Sequence, residues 1–336
     1  MVKIHACILR CKKDCLKSIL GVRMHIILAQ PRGFCAGAVR AIRTVTRALK
    51  KHGPPIYILH EIVHNRSVVE DLKSQGGIFV ENIEDIPDGS VIVFSAHGVS
   101  TEVVRTANQK NLQIIDGTCP LISEIHQRAQ QYSRDGYEII VIGHPGHPEI
   151  EGTRGCIEGP VQVLSSIDEV GSLQVINPDK IAYVTQTTLS YDDTLQIIKA
   201  LKWRFSMNGP DLSNVCHATQ SRQKSVRFLA GFVDLLLIVG AHNSSNSNRL
   251  KEIGERCGIA SYLIETERDL SSTWFSEDMT IGLTAGASAP EEMVQRVLNR
   301  LRGYHPCVLS EMAGTEADRF LPAQSHVDDR KESFRA

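Results

Sequence analysis

Short β-branched apolar runs alternate along the chain with segments whose apolar residues recur at helical spacing. The runs predict strands over 25–28, 55–59, 91–95, 138–143, 181–185, 233–240 and 280–284, and the stretch 39–52 sets Val39, Ile42, Val45 and Leu49 on one helix face. Strands that alternate with helices in this way build parallel sheets, so the fold class is α/β. The longest apolar run, 233–241 with Asp234 inside it, is strand length, far short of the roughly 20 residues of a spanning helix, so no membrane partner is expected.

The same pattern occurs three times. Each block opens on a cysteine and continues with a strand ending in a polar loop, an edge-like strand, and a further strand ending in a second polar loop. The cysteines are Cys35, Cys119 and Cys216. The first loops hold His64 and Asn65, then residues 144–149, then 243–248; the second loops hold His97, Thr187 and Ser288. Cys35 to His64 spans 29 residues, Cys119 to His147 spans 28 and Cys216 to Asn246 spans 30, so the cysteines keep phase with the strands. Three similar lobes follow, expected over 37–120, 121–212 and 213–309. Residues just past parallel-strand C-termini line the ligand crevice, which aims all three cysteines and all the polar loops at one centre.

A length of 336 residues suits two or three compact units, and 42% hydrophobic with 22% charged residues excludes a disordered chain. The formal net charge of −1 excludes nucleic-acid binding through bulk charge. Nine cysteines are an odd number and widely scattered, which argues against a disulfide framework and for a reducing, cytoplasmic setting. In the first 23 residues six Lys or Arg against Asp14 interrupt every apolar stretch, so no secretory signal is expected. Residues 1–23 read as an extension outside the fold, with Met24 a second candidate start. Cys7, Cys11 and Cys15 would share a helix face, but their spacing fits no cluster motif. Residues 310–336 read as a polar tail.

Three thiolates converging from three lobes make a metal site. Zinc with a water in its fourth position is one occupant; an iron–sulfur cluster is the other, and with three ligands it keeps one iron open to substrate. Taken singly, each cysteine fits a buried core and each histidine a structural role. Cys35 and Cys119, however, lie in turn-forming surroundings, Arg32-Gly33-Phe34-Cys35-Ala36-Gly37 and Gly117-Thr118-Cys119-Pro120. Around them stand neutral donors: His64, Asn65, His97, His147, Thr187, Ser244, Ser245, Asn246 and Ser288. The run 243–248 precedes a helical segment, whose N-terminal amides suit a phosphate, so an anionic, diphosphate-like ligand is implied. Glu149 is the carboxylate at this centre; burial beside negative neighbours would raise its pKa and make it a proton donor near neutrality.

These stretches resemble the family of 4-hydroxy-3-methylbut-2-enyl diphosphate reductases, the LytB proteins. The resemblance rests on Pro31-Arg32-Gly33-Phe34-Cys35-Ala36-Gly37, Val63-His64-Asn65, Phe94-Ser95-Ala96-His97-Gly98-Val99-Ser100, Thr118-Cys119-Pro120, residues 143–149, Thr185-Gln186-Thr187-Thr188-Leu189-Ser190, and residues 243–250 and 285–290. They run in order from about residue 24 to 303. The resemblance implies a trefoil of three α/β lobes around one [4Fe–4S] cluster per chain, held by Cys35, Cys119 and Cys216 with one iron open. It implies that the N-terminal strand returns to the third lobe, so that 24–36 joins 213–309. It implies that His64, His97, His147, Ser244, Ser245, Asn246 and Ser288 bind diphosphate while Glu149 and Thr187 handle the substrate hydroxyl and its proton. The activity implied is reductive dehydroxylation of an allylic diphosphate to isopentenyl and dimethylallyl diphosphate, the last step of the non-mevalonate isoprenoid route. With no dinucleotide fingerprint in the chain, a ferredoxin or flavodoxin is the expected electron donor. The loop Cys216-His217-Ala218-Thr219-Gln220-Ser221-Arg222-Gln223 departs from the family's common C-Y-A-T-x-N-R-Q at His217 and Ser221. A zinc hydrolase and a non-catalytic iron–sulfur sensor are the rival readings.

Overall fold

The computed structural model describes residues 24–210 and 214–312. The extension 1–23 with Cys7, Cys11 and Cys15, and the tail beyond Met312, lie outside the described residues.

In chain order the described elements begin with β1 (Met24–Leu28), α1 (Ala36–His52), β2 (Ile56–Leu59), α2 (Arg66–Ser74), β3 (Gly77–Val80), β4 (Val91–Phe94), α3 (Thr101–Gln109) and β5 (Gln113–Asp116). The second stretch holds α4 (Pro120–Arg134), β6 (Glu138–Ile142), α5 (Pro148–Arg154), β7 (Val161–Leu164), β8 (Ile181–Thr185), α6 (Tyr191–Arg204) and β9 (Met207–Asn208). The third holds α7 (His217–Ala230), β10 (Leu235–Val239), α8 (Ser245–Arg256), β11 (Ala260–Ile264), β12 (Thr280–Ala285), α9 (Glu291–Arg302) and β13 (Cys307–Glu311). Among the described residues no helix is long and apolar enough to cross a membrane.

The strands form three all-parallel sheets, ordered β3-β2-β4-β5, β7-β6-β8-β9 and β11-β10-β12-β1-β13. Parallel sheets take helices on their faces, so the central strands lose contact with water on both sides. Every residue of β6, β8, β10 and β12 is buried, which explains why these runs are largely apolar rather than alternating, with Glu138, Thr185, Thr280 and Thr284 the exceptions. The flanking strands are only partly covered. Each sheet has its own hydrophobic clusters, such as Ile56, Ile58 and Val93 under α1, and Ile140 and Tyr183 packed with Ile198 of α6.

The fourth strand of each sheet closes the trefoil. β5 leads to Cys119, β9 leads to Cys216 and β1 leads to Cys35, so every cysteine leaves one sheet and starts the helix that serves the next. Three equivalent backbone hydrogen bonds fix this arrangement. The amide of Cys119 donates to Ala96 O, that of Cys216 to Thr187 O and that of Cys35 to Ala287 O, each at 3.0 Å. The return of β1 to the third sheet is seen directly in its pairing with β12.

Three strands escape the hydrophobic pattern. β5 has only two apolar residues of four and exposes both ends, β9 is two residues long, and β13 lies at an edge with only partial burial. Ser310 and Glu311 therefore belong to β13 and not to a polar tail. Their side chains bond back toward the neighbouring strand, Ser310 to His25 of β1 (2.8 Å) and Glu311 to Arg32 just past it (2.5 Å).

The register also corrects the alignment of the repeats. Thr187 matches Ala96 and Ala287 in the three equivalent bonds, so Thr188, and not Thr187, is the counterpart of His97 and Ser288. By helix-capping position, Ser244 and not Asn246 is the counterpart of His147. The strand ends make both visible: Ala96, Thr187 and Ala287 each stand two residues past their strands, and His147 and Ser244 each five past theirs.

Candidate active site

The loops past the strand C-termini meet in one cavity of about 740 Å³, counted with its mouth. Cys35, His64, His97, Cys119, His147, Glu149, Thr187, Cys216, Ser244, Ser245, Asn246 and Ser288 all line it. All twelve residues singled out in the sequence are thus brought together. Asn65, the further donor, is buried elsewhere; its Oδ1 accepts the Val68 amide as cap of α2.

The thiols share one local design. Cys35, Cys119 and Cys216 are the N-caps of α1, α4 and α7. A helix start leaves amides without intrahelical partners and carries a partial positive charge, so three such ends favour anionic sulfur at their meeting point. Cys35 Sγ accepts the Ala38 amide at 3.3 Å. Burial pushes the Cys119 and Cys216 thiols up, while amides of Leu121 and Ile122, and of Ala218 and Thr219, pull them back. A Cβ on Gly37 would stand 3.0 Å from Cys119 Sγ and 3.7 Å from Cys35 Sγ, so only glycine leaves both sulfurs free there. Among the described residues no group of three or more His, Cys, Asp and Glu side chains is gathered closely enough for a single metal ion.

In the same cavity three imidazoles cluster: the His64 and His97 rings stack at 4.4 Å, and His147 stands edge-on to them at 5.6 and 5.9 Å. His147 Nδ1 accepts the Glu149 amide at 3.2 Å, which puts the ring proton of the neutral form on Nε2. That Nε2–H is buried with no partner, as is Asn246 Nδ2; His64 Nε2 is also unpartnered, an acceptor in the neutral ring whose Nδ1 proton goes to Glu61 and a donor only when the ring is protonated. Asn246 Oδ1 is already taken by the Ala287 amide at 2.9 Å, so its NH₂ is left as a spare donor. Ser245 Oγ accepts from Thr188 Oγ1 at 3.0 Å, leaving its own proton to give. Burial of unmatched donors is costly, and their collection in one pocket marks a site for an acceptor-rich ligand. Burial is also the main reason that His97 is held well below the usual histidine range and His147 is lowered to about 4.

Glu149 is 2% exposed. Its Oε1 accepts the Thr187 amide at 2.7 Å and its Oε2 accepts the Thr187 hydroxyl at 2.9 Å. Burial raises its pKa to about 7, against the lowering effect of those two bonds. The carboxyl is thus half-protonated near neutrality beside three thiols, able to give a proton to a group in the cavity.

Several supporting residues escaped the sequence reading. Glu61 accepts from His64 Nδ1 at 3.0 Å and from Asn243 at 2.9 Å, joining the first and third lobes at the pocket rim. Thr188 lines the cavity and ties to Ser245. Arg222, 1% exposed, donates to Gly33 O at 2.5 Å and to Ala218 O, binding the Cys35 loop to the helix that Cys216 caps. Gln223 bonds Leu189 O and the Tyr191 amide, binding the Thr187 loop to that same helix. Of the two departures in this segment, His217 is exposed, and buried Ser221 offers its carbonyl to Ser225 at 3.1 Å.

Gly98 follows His97 with φ +75°, and a Cβ there would meet His126 Cε1 at 2.7 Å. Gly98→Ala is expected to cost at least about 1–2 kcal/mol through the left-handed backbone alone. Thermal unfolding should show a lower Tm; an unchanged Tm would contradict this account of the turn.

Fold and site together define a three-lobed parallel α/β protein that presents helix-capping thiols beside a donor-rich anion pocket. The family model described as LytB protein matches residues 26–302, and the chain belongs to that family. A relative from Acidithiobacillus ferrooxidans named 4-hydroxy-3-methylbut-2-enyl diphosphate reductase is 51% identical over 295 residues, 87% of this chain and 93% of its own. One of the same name from Burkholderia pseudomallei is 52% identical over 294 residues, 87% and 94% of the two chains. Among solved structures, the E-1-hydroxy-2-methyl-but-2-enyl-4-diphosphate reductase from Plasmodium falciparum superimposes with a TM-score of 0.82 at 34% identity, covering 89% of this chain and 94% of that one.

Proposed function

We propose that this chain catalyses the reaction named in its relatives, the reduction of (E)-4-hydroxy-3-methylbut-2-enyl diphosphate to isopentenyl and dimethylallyl diphosphate. The allylic alcohol takes up two electrons and two protons; its C–O bond breaks, a C–H bond forms and water leaves. The observation that carries this reading is the placing of spare anion donors, a near-neutral carboxylic acid and three helix-capped thiols around one cavity.

The thiols are read as ligands of an iron–sulfur cluster and not of a lone zinc because the reaction consumes two electrons, and zinc, which has no redox chemistry, cannot carry them. Cys35, Cys119 and Cys216 would hold a [4Fe–4S] group, which when bound supplies electrons singly and an open iron as Lewis acid. The amides at the three helix starts would stabilise its negative charge.

The chain's own residues do the rest. His64, His97, His147, Ser244, Ser245, Asn246 and Ser288 receive the diphosphate and set the hydroxyl end toward the thiols. Glu149 holds the proton for the departing hydroxyl, and the Thr187 hydroxyl, bonded to Glu149 Oε2, passes it on. Ala38, Val63, Ala96, Leu121 and Ile122 line the cavity and limit water around the allyl carbons. Electrons come from a separate one-electron protein carrier, a ferredoxin or flavodoxin.

Anaerobic turnover with a reduced donor, followed by product analysis, tests the reading; hydrolysis of the diphosphate with no reduced hydrocarbon product would refute it. Pyrophosphate provides a second test. The histidines with lowered pKa values are neutral at pH 7 when the pocket is empty, and an anion raises them, so binding takes up protons. Affinity should therefore rise as pH falls from 8 to 6, by up to about tenfold per pH unit for each proton taken up. Calorimetry in buffers of different ionisation enthalpy reads this uptake directly, and pH-independent affinity would contradict it.

A further inference from the structure

We propose that the exposed face of α1 is the docking surface for an acidic one-electron carrier protein. The inference rests on the reductase reading, which requires such a carrier, and adds the place where it binds.

The fully exposed positions of α1 are Ala36, Arg40, Arg43, Arg47, Lys50, Lys51 and His52. At 100° per residue Ala36, Arg40, Arg43, Arg47, Lys50 and Lys51 fall on one face, and from Arg40 to Lys51 the stripe runs about 17 Å. The helix contains no acidic residue. Among the described residues Arg43, Arg47, Lys50 and Lys51 make no ion pair, although the chain as a whole is nearly neutral. A row of uncompensated cations on a rigid element is suited to steer an anionic protein into one orientation.

The stripe also points to the thiols. Its N-terminal end is capped by Cys35, and the Gly37 backbone lies against both Cys35 Sγ and Cys119 Sγ. Arg40 donates to Thr118 O, the residue before Cys119. Exposed Ala36 and Arg40 are therefore one helical turn from two of the three sulfurs, and a carrier seated on this face would bring its redox centre close to them. The other two cysteine-capped helices lack such a face. The exposed positions of α4 include Glu124 and Gln127, and those of α7 are His217, Lys224 and Phe228.

Arg43→Glu/Arg47→Glu tests the proposal. Both residues are exposed, and neither lines the cavity. The probe is an acidic [2Fe–2S] ferredoxin, titrated calorimetrically into anaerobically purified protein at low and at high salt. A control, Lys199→Glu/Arg268→Glu, makes the same change of net charge at exposed positions elsewhere. The face reversal should weaken Kd at low salt by about tenfold or more, and high salt should shrink the difference, as expected for screened contacts. The control should stay within about twofold of the parent. Dithionite-driven turnover should be unchanged in the face variant while ferredoxin-driven turnover shows a raised KM.

Equal weakening by both variants, a Kd unmoved by the face reversal, or no association of the parent with ferredoxin at low salt would each overturn the docking surface. So would a parallel fall in dithionite-driven turnover. Loss of dithionite-driven reduction in the parent protein would instead refute the reductase reading, and the Kd comparison would still judge the face.

Discussion

Glu149→Gln is expected to lower kcat by about 10²–10⁴-fold, the range for losing a positioned proton donor, while leaving iron content and pyrophosphate affinity near those of the parent. Glutamine keeps the shape: its oxygen can still accept the Thr187 amide and its NH₂ can face the Thr187 hydroxyl, but it has no proton to release. The parent enzyme should show kcat highest on the acid side of about 7, where Glu149 is protonated, and falling about tenfold per pH unit above it. That limb should vanish from the residual activity of the variant. Stability should move the opposite way. In the fold the acid titrates at about 7 instead of its ordinary 4.5, so the protonated fold has its full relative stability below 4.5 and loses it as pH rises through 7. Above that pH the metal-free variant should be more stable than the parent, by up to about 3 kcal/mol for a shift of this size. Denaturant unfolding at pH 5 and pH 8 measures the difference, and near-parental turnover in the variant would remove Glu149 from the reaction.

Cys216→Ser is expected to abolish cluster binding and turnover with little loss of folding. Cys216 is the N-cap of α7 and serine is among the favoured N-cap residues, its oxygen able to accept from the same first-turn amides, so α7 should form as before. The carriers of local structure, Arg222 to Gly33 O and Gln223 to Leu189 O, are untouched. What disappears is one thiolate of three. Metal-free protein should unfold at the parental temperature, whereas anaerobically purified protein should lack the sulfide and visible absorption of the parent. Full iron and sulfide content in this variant would show that Cys216 is not a ligand.

The residues of the cavity were legible in the sequence because each belongs to a local motif at the end of an apolar run, and a parallel sheet sends such ends to one side. The cysteines were legible for a second reason, their constant phase with the strands. Other parts were hidden by the nature of the forces involved. β5 and β9 are short and half-exposed, so no hydrophobic pattern announces them, yet they are the strands that deliver Cys119 and Cys216. Arg222 looks like a surface residue of an amphipathic helix. Only its bond to Gly33, 189 residues away, shows it to be a buried clamp between two cysteine segments. The place of Thr188 beside Ser245 depends on sheet register. Glu61 carries no signal in the sequence, since a carboxylate in a loop is usually solvated; its partners, His64 and Asn243, come from two different lobes.

The central claim is that Cys35, Cys119 and Cys216 together hold one redox-active inorganic group. Quantifying metal and acid-labile sulfide in protein purified without oxygen addresses it most directly. The account predicts about four iron and four sulfide per chain, with absorption that bleaches on reduction; a stoichiometric zinc ion without sulfide would contradict it.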